Sequence, residues 1–303
     1  MESDSSTSTP RVTVGIPVYN AARTLPLTLR SVFCQTFTDW ELILVDDGST
    51  DGSVDIMRSV RDERVRLVVD GTNKTQGPRH NEITRLAKAP LVVRLDADDL
   101  MHPERLSRQV EYMDAHPEVD LVGAAVYSID ATYHITGKRG GSSPPRSEFE
   151  AGIHAAVAHS TVAGRTSWFK ENPYDETPES RRCEDAELWF RTYGRSTIRS
   201  VEEPLLFYLE TVENAIGKLR SSNKGQLRVM FLGNGEVRRK PLALRLRVAA
   251  VICLKMAYYE VCWLLGARRY LIDRRNQPLD SGEEETAYEA LDRVMNYPVP
   301  GLG

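Results

Sequence analysis

The sequence predicts an α/β fold around a mainly parallel central sheet, and three observations lead there. Apolar runs alternate with amphipathic stretches through the first third of the chain, the pattern of βαβ units. The runs are continuous in Val, Ile and Leu, as in strands buried on both faces. Two of them end directly in acidic clusters. Trp40-Glu41-Leu42-Ile43-Leu44-Val45 leads into Asp46-Asp47-Gly48-Ser49-Thr50-Asp51, and Leu91-Val92-Val93-Arg94-Leu95 into Asp96-Ala97-Asp98-Asp99. Ligands of open α/β sheets gather at the strands' carboxyl ends. Carboxylates crowded there are costly to hold unless a cation neutralises them. Aspartates one residue apart suit a hard divalent ion that completes its shell with waters and substrate phosphates.

The elements follow in order. Val12 to Pro17 reads as the first strand, stopped by Pro17 and opening into Tyr19-Asn20. Thr24 to Phe33 places Leu25, Leu29, Val32 and Phe33 on one helical stripe. Next come a strand at Leu42–Val45, a helix over Ser53–Val60 and a strand at Val65–Val69. A helix over Gly77–Lys88 and the Leu91–Leu95 strand complete this half. Pro103 starts a helix reaching His116, and Val119–Val126 is a further strand. Residues 137–145, rich in Gly, Ser and Pro, are expected as a loop, and 149–208 mixes short elements. Pro278 to Gly303 is acidic and then Pro/Gly-rich, expected as one short helix and a loose end.

With 303 residues the chain can bury a sizeable core in one large domain or a domain with appendages. A hydrophobic content of 41% and a charged content of 27% are ordinary for a soluble protein. A net charge of −4 gives no basic footprint, so nucleic acid is excluded as a partner. Cys34, Cys183, Cys253 and Cys262 form no ligand-like cluster and read as small buried hydrophobes in a reducing compartment. Residues 1–10 are polar, without an apolar signal core. They are expected as a disordered tail, and the protein is expected in the cytoplasm.

Two other readings of the acidic clusters fail. As a calcium loop, Asp47, Ser49, Asp51 and Gly52 take positions 1, 3, 5 and 6, but position 12 is Arg58 where a bidentate Glu is required. A dinucleotide site fails because the first strand leads into Val18-Tyr19-Asn20-Ala21-Ala22 rather than a Gly-rich turn. Turn chemistry and helix capping account for part of Asp46–Asp51, but two adjacent aspartates exceed what a cap requires.

Taken together, Val14-Gly15-Ile16-Pro17-Val18-Tyr19-Asn20, Ser31 to Phe37, Asp46 to Asp51 and Arg94 to Asp99 resemble the successive signatures of family 2 glycosyltransferases. The resemblance covers roughly residues 11 to 210 and looks most like bacterial enzymes of polysaccharide assembly. It implies a GT-A nucleotide-sugar-binding fold with a C-terminal helical extension. It also implies an inverting transfer from a nucleotide sugar, most simply a UDP-sugar, to a glycan or lipid-linked glycan acceptor, with Mn2+ or Mg2+ as cofactor. Pro17, Tyr19 and Asn20 would then line the nucleotide pocket and Asp47 would accept from the base. Asp96 would contact the ribose and Asp98 would bind the metal. The family's Ala-Arg-Asn is replaced by Arg79-His80-Asn81, so either Arg79 or His80 would reach the phosphates. Cys183 to Arg191 resembles the family's Glu-Asp-x-x-Leu-Trp-x-Arg helix, which makes Asp185 the base that takes the acceptor's proton. Many relatives carry a late Arg and His that complete the site; Tyr208 to Glu213 supplies neither, leaving His154 or His159 as substitutes. A nucleotide-sugar-binding protein without transfer activity is the alternative that these departures favour.

The resemblance divides the chain into a donor-binding half over residues 11–125, an acceptor and catalytic half over 126–235 and a basic helical extension over 236–303. Residues 228–275 hold eleven Lys/Arg against three acids, with apolar runs too short to span a membrane. Two readings stand: a helical hairpin packed on the catalytic domain with solvated charges, or attachment to an anionic membrane surface.

Overall fold

The computed structural model describes residues 9–141, 144–210, 212–267, 270 and 274–302. The first half alternates as expected: β1 (Val12–Val18), α1 (Leu25–Phe33), β2 (Trp40–Asp46), α2 (Ser53–Ser59), β3 (Val65–Val68), α3 (Gln76–Leu86) and β4 (Leu91–Arg94). Then follow β5 (Leu100–Met101), α4 (Arg105–Ala115), β6 (Leu121–Ile129), β7 (Ile135–Arg139), α5 (Glu148–Ile153), β8 (Ala163–Arg165), α6 (Thr166–Glu171), α7 (Glu184–Thr192) and β9 (Ile198–Leu209). Toward the end of the chain the described residues include α8 (Val212–Leu232), α9 (Gly235–Arg239), α10 (Leu242–Leu264) and α11 (Ser281–Met295). Most of the expected tail, residues 1–8, lies outside the described residues.

One sheet carries the fold, in the order β3-β2-β1-β4-β8-β6-β9-β5, with β7 paired to β6. Its first four strands are parallel. Beyond β4 it is mixed: β8 runs antiparallel to β4 and β6, while β9 runs parallel to β6. The continuous apolar runs have a physical origin in two-sided burial. Along β2, Leu42 and Leu44 enter one core cluster while Ile43 and Val45 enter the other. In β1, Val12, Val14, Ile16 and Val18 are fully buried, each contributing roughly 1.5–3 kcal/mol. Gly15 lets α3 lie close on β1, since a Cβ there would stand 2.4 Å from Ile83 Cγ2.

Three expectations change. Gly137 to Arg139, read as loop, belongs to β7, because β6 offers it an antiparallel edge. The tail is neither short in helix nor loose. α11 has 15 residues and starts at a capping box between Asp280 and Glu283. Its Ala287, Leu291 and Val294 pack with Leu100 and Phe207. Val299 beyond it is buried, and the Pro300 carbonyl accepts from the Arg61 amide. Finally, three of the four cysteines are buried thiols, but Cys253 is exposed.

Candidate active site

The β1–α1 and β2–α2 turns are stitched to each other. The Asn20 amide donates to Ser49 Oγ at 3.0 Å, and the Thr50 amide to Asn20 Oδ1 at 2.8 Å. The Ala21 and Ala22 amides donate to Ser53 Oγ and Asp51 Oδ2. Asn20 holds a left-handed φ of 48°, which its short polar side chain tolerates. Gly48, at φ 76°, lets Asp46 accept from the Gly48 and Ser49 amides. Asp46 and Asp51 are thus occupied in turns, while Tyr19 stands 54% exposed beside Pro17 at the rim.

Asp47 is different. Its buried carboxylate accepts from the Lys74 and Thr75 amides at 2.7 and 3.1 Å and from Arg79 Nε at 3.0 Å. A carboxylate has about four acceptor positions, so three donors leave room for one more. Arg79 is fully buried. Its other N–H groups donate to both Asp70 oxygens, to Glu82 and to the Thr72 carbonyl. All five of its donors are therefore taken, leaving none for a phosphate. Arg79 holds Asp70 well below the usual carboxylate range and orients Asp47. His80 points elsewhere, stacked edge-on against His159 at 5.0 Å and beside Tyr174. Burial, then the neighbouring Arg94, keeps both imidazoles neutral.

β4 delivers Asp96, Asp98 and Asp99 to one place, with a ligand oxygen of each within 4.8 Å of the others. Asp96 accepts from Gln76 Nε2 at 2.8 Å, and its amide donates to Ser160 Oγ at 3.1 Å. Burial, then the Asp98 charge, pushes the Asp96 carboxyl up to about 7. Asp99 is raised by the same causes and accepts from the Leu209 amide. Two buried guanidiniums lie behind this cluster. Arg94 is sandwiched 4.5 Å from the Phe169 ring and 4.1 Å from the Tyr174 ring. Arg105 donates to the Arg94 carbonyl at 2.9 Å and to Gln109 at 3.0 Å. From the solvent side, the Lys218 ammonium of α8 stands 3.8 Å from Asp98. Three carboxylates, hard oxygen donors with a lysine already drawn to them, fit a divalent cation. A second group, His80, Asp96 and His159, also brings its ligand atoms within 4.8 Å. There the Arg94 guanidinium, 3.3 Å from His159 Nε2, opposes a cation. Of the two histidines proposed to substitute, His159 reaches the cluster and His154 is exposed away from it.

Asp185 is the second residue of α7 and lies within the fields of Arg94 and Asp96. Burial raises its carboxyl above the ordinary range. Glu187 and Arg191 of the same helix pair at 2.8 Å in the core, a structural bond. Asn81 ties α3 to the segment before α7: its amide nitrogen donates to the Tyr174 carbonyl at 3.0 Å and its oxygen accepts from the Tyr174 amide at 2.9 Å. Sequence reasoning missed Gln76, Ser160, Tyr174 and Lys218. Arg94, charged inside an apolar strand, was the one local signal of a buried cation beneath the cluster.

The sequence model of Glycosyl transferase family 2 matches residues 13–176. EpsE of Bacillus subtilis, named as a glycosyltransferase, is 33% identical over 193 residues, covering 61% of this chain and 68% of that protein. The Escherichia coli UDP-Glc:α-D-GlcNAc-diphosphoundecaprenol β-1,3-glucosyltransferase WfaP is 30% identical over 152 residues, 50% of this chain and 59% of that enzyme. Among solved structures, residues 1–349 of Staphylococcus aureus TarS in complex with UDP align with a TM-score of 0.54 at 18% identity, covering 80% of this chain and 70% of that one. The matched segment runs from β1 through Asp47 and the Asp96–Asp99 cluster to Tyr174 and Glu176, most of the site just described. The chain belongs to glycosyltransferase family 2, and it is a sugar-transferring enzyme of GT-A fold.

Proposed function

We propose that the enzyme transfers a sugar from a UDP-sugar to a glycan or lipid-linked glycan acceptor, with inversion and with Mn2+ or Mg2+ bound at Asp98. The observation that carries this reading is one cleft holding three clustered carboxylates at the end of β4 and a separate half-buried base, Asp185. Pro17, Tyr19 and Asn20 form the wall of the nucleotide pocket, and the free acceptor position of Asp47 takes a base N–H. Arg79 acts through Asp47 as a positioning residue. Asp96 faces the ribose, and His80 supports it from behind through His159. WfaP is named for a UDP-linked donor and a diphosphoundecaprenol-linked acceptor, and TarS has been solved with UDP-GlcNAc, which supports the same donor class here.

Asp185 takes the acceptor hydroxyl's proton as that oxygen bonds to the anomeric carbon and the nucleoside diphosphate leaves, and its raised pKa makes it a stronger base than an ordinary surface carboxylate. Asp98 would hold a divalent ion, which would supply positive charge against the leaving diphosphate. Lys218 adds a second cation on the same side. Residues 11–125 form the donor half and 126–235 the acceptor half of one domain. The unpaired cysteines suit the reducing cytoplasm.

The test is product formation from a panel of UDP-, GDP- and dTDP-sugars with Mn2+ or Mg2+, run on the wild type and Asp98→Ala. Transfer that needs the ion and vanishes in the variant is expected. A variant with wild-type turnover and metal dependence would remove Asp98 from the site.

A further inference from the structure

α10 is apolar on both faces: Val248 and Ile252 are buried against the protein, while a second apolar stripe faces outward with few charges on it. Lys255 donates to the Ile153 carbonyl and Arg245 to the Met230 carbonyl. Glu260 is paired with Arg220 of α8, and the Arg247 guanidinium lies 4.8 Å from the Phe149 ring centre. The opposite face, at three- and four-residue spacing, carries Leu242, Leu246, Leu254, Val261, Leu264 and Leu265, exposed by between 50% and 77%. Ala243, Ala250, Cys253 and Ala257 fill the stripe between them, and its edges carry exposed Arg247 and the Glu260 side chain, the latter neutralised by Arg220. At about 1.5 Å per residue the 23-residue helix carries this band for roughly 34 Å.

Cations rim the band at both ends, joined by phenols at the far one. Exposed Arg238 and Arg239 precede α10, next to exposed Phe231 and Leu232, and neither arginine has an ion pair among the described residues. At the far end stand Tyr258, Tyr270 and Arg274, the last bonded to the Tyr258 hydroxyl at 2.7 Å. A second copy of the chain laid antiparallel on this face would set arginines against arginines at both ends. An anionic partner meets them with opposite charge. No helix among the described residues is long and apolar enough to cross a membrane.

We propose that the outward face of α10 lies in the headgroup region of an anionic membrane leaflet, with its leucines inserted and the rim arginines on lipid phosphates. This goes beyond the transfer reading and stands on the surface alone. It also orients the catalytic cleft. A cleft of about 390 Å³ between α8 and α10, lined by Leu219, Leu254 and Tyr258, opens at the edge of the face. Leu219 adjoins the Lys218 that reaches Asp98.

Flotation of the full chain with vesicles of phosphatidylcholine, alone or mixed with phosphatidylglycerol, tests the assignment. The wild type should float with the mixed vesicles, and salt should release it. Leu246→Glu with Leu254→Glu should lower the bound fraction at least ~10-fold. Arg238→Glu with Arg239→Glu should abolish the preference for anionic lipid. Both double variants should keep the wild-type thermal midpoint and the wild-type thermal shift with UDP-sugar, which separates loss of attachment from loss of the donor site. A wild type that stays soluble with both vesicles overturns the proposal, as does equal, salt-insensitive binding to both. A dimer in sedimentation that the leucine variant dissolves, without vesicle binding, assigns the face to a second copy instead.

Discussion

In the metal-free enzyme, raising the pH should weaken the fold at Asp96. The unfolded chain releases this proton near 3.8, whereas the folded chain keeps it to about 7 because the carboxyl is half-buried beside Asp98. Between those values the folded state binds more protons, so stability contributed by the protonated form is full below 3.8 and is lost as pH rises through about 7. At ~1.4 kcal/mol per pH unit the ceiling is about 4 kcal/mol, and water reaching the carboxylate reduces it to ~2 kcal/mol. Other carboxylates titrate in the opposite sense, Asp70 among them, so the quantity to measure is a difference. Asp96→Asn keeps an acceptor for Gln76 Nε2 and cannot ionise. Urea unfolding of both proteins in chelator should show the variant gaining about 2–4 kcal/mol over the wild type between pH 4 and 8. Added Mn2+ should close that gap in the wild type. Parallel pH curves would refute the reasoning, because they would mean that Asp96 ionises as an ordinary surface acid.

Asp185→Asn should keep donor affinity by calorimetry while transfer falls about 10²- to 10⁴-fold, the usual contribution of a positioned base. Loss of binding instead would move Asp185 to the donor pocket or to the fold. Arg79→Met should cost about 3–5 kcal/mol in chemical unfolding, because it leaves the buried Asp47 without its counter-charge. The same variant should weaken the UDP thermal shift; a variant that loses stability but binds UDP normally would show that Asp47 does not recognise the base.

Much of the fold could be read from the chain because its strands are buried on both faces and therefore run apolar without interruption, as β2 does from Trp40 to Asp46. The acidic clusters were legible for the same reason, since each directly follows such a run. What escaped depends on partners distant in sequence. β7 forms in a Gly-rich stretch because β6 lies open beside it, and the Pro/Gly-rich end is fixed by a bond between Pro300 and Arg61. Arg79 reads as a phosphate ligand until the loop through Asp70 and Thr72 folds back and fills every donor. Lys218 reads as an ordinary lysine on a polar helix, and only the docking of α8 brings it to Asp98. In α10 a helical projection scatters the four charges. The packed structure ties Arg245 and Lys255 to carbonyls of neighbouring helices and leaves Arg247 and the Glu260–Arg220 pair at the surface.

Asn81 has a bearing on how such enzymes can be recombined. By giving to and taking from the one residue Tyr174, it copies with a side chain what two strands do with their backbones, and so joins α3 to the segment that leads into α7. On the proposed assignment, the base Asp185 would thereby be registered to the nucleotide pocket through two short bonds. A chimera exchanged at the boundary between halves would inherit its acceptor specificity without that registration. A graft that begins beyond Glu176, leaving Asn81 and Tyr174 from the same parent, would keep the base aligned while the acceptor surface changes.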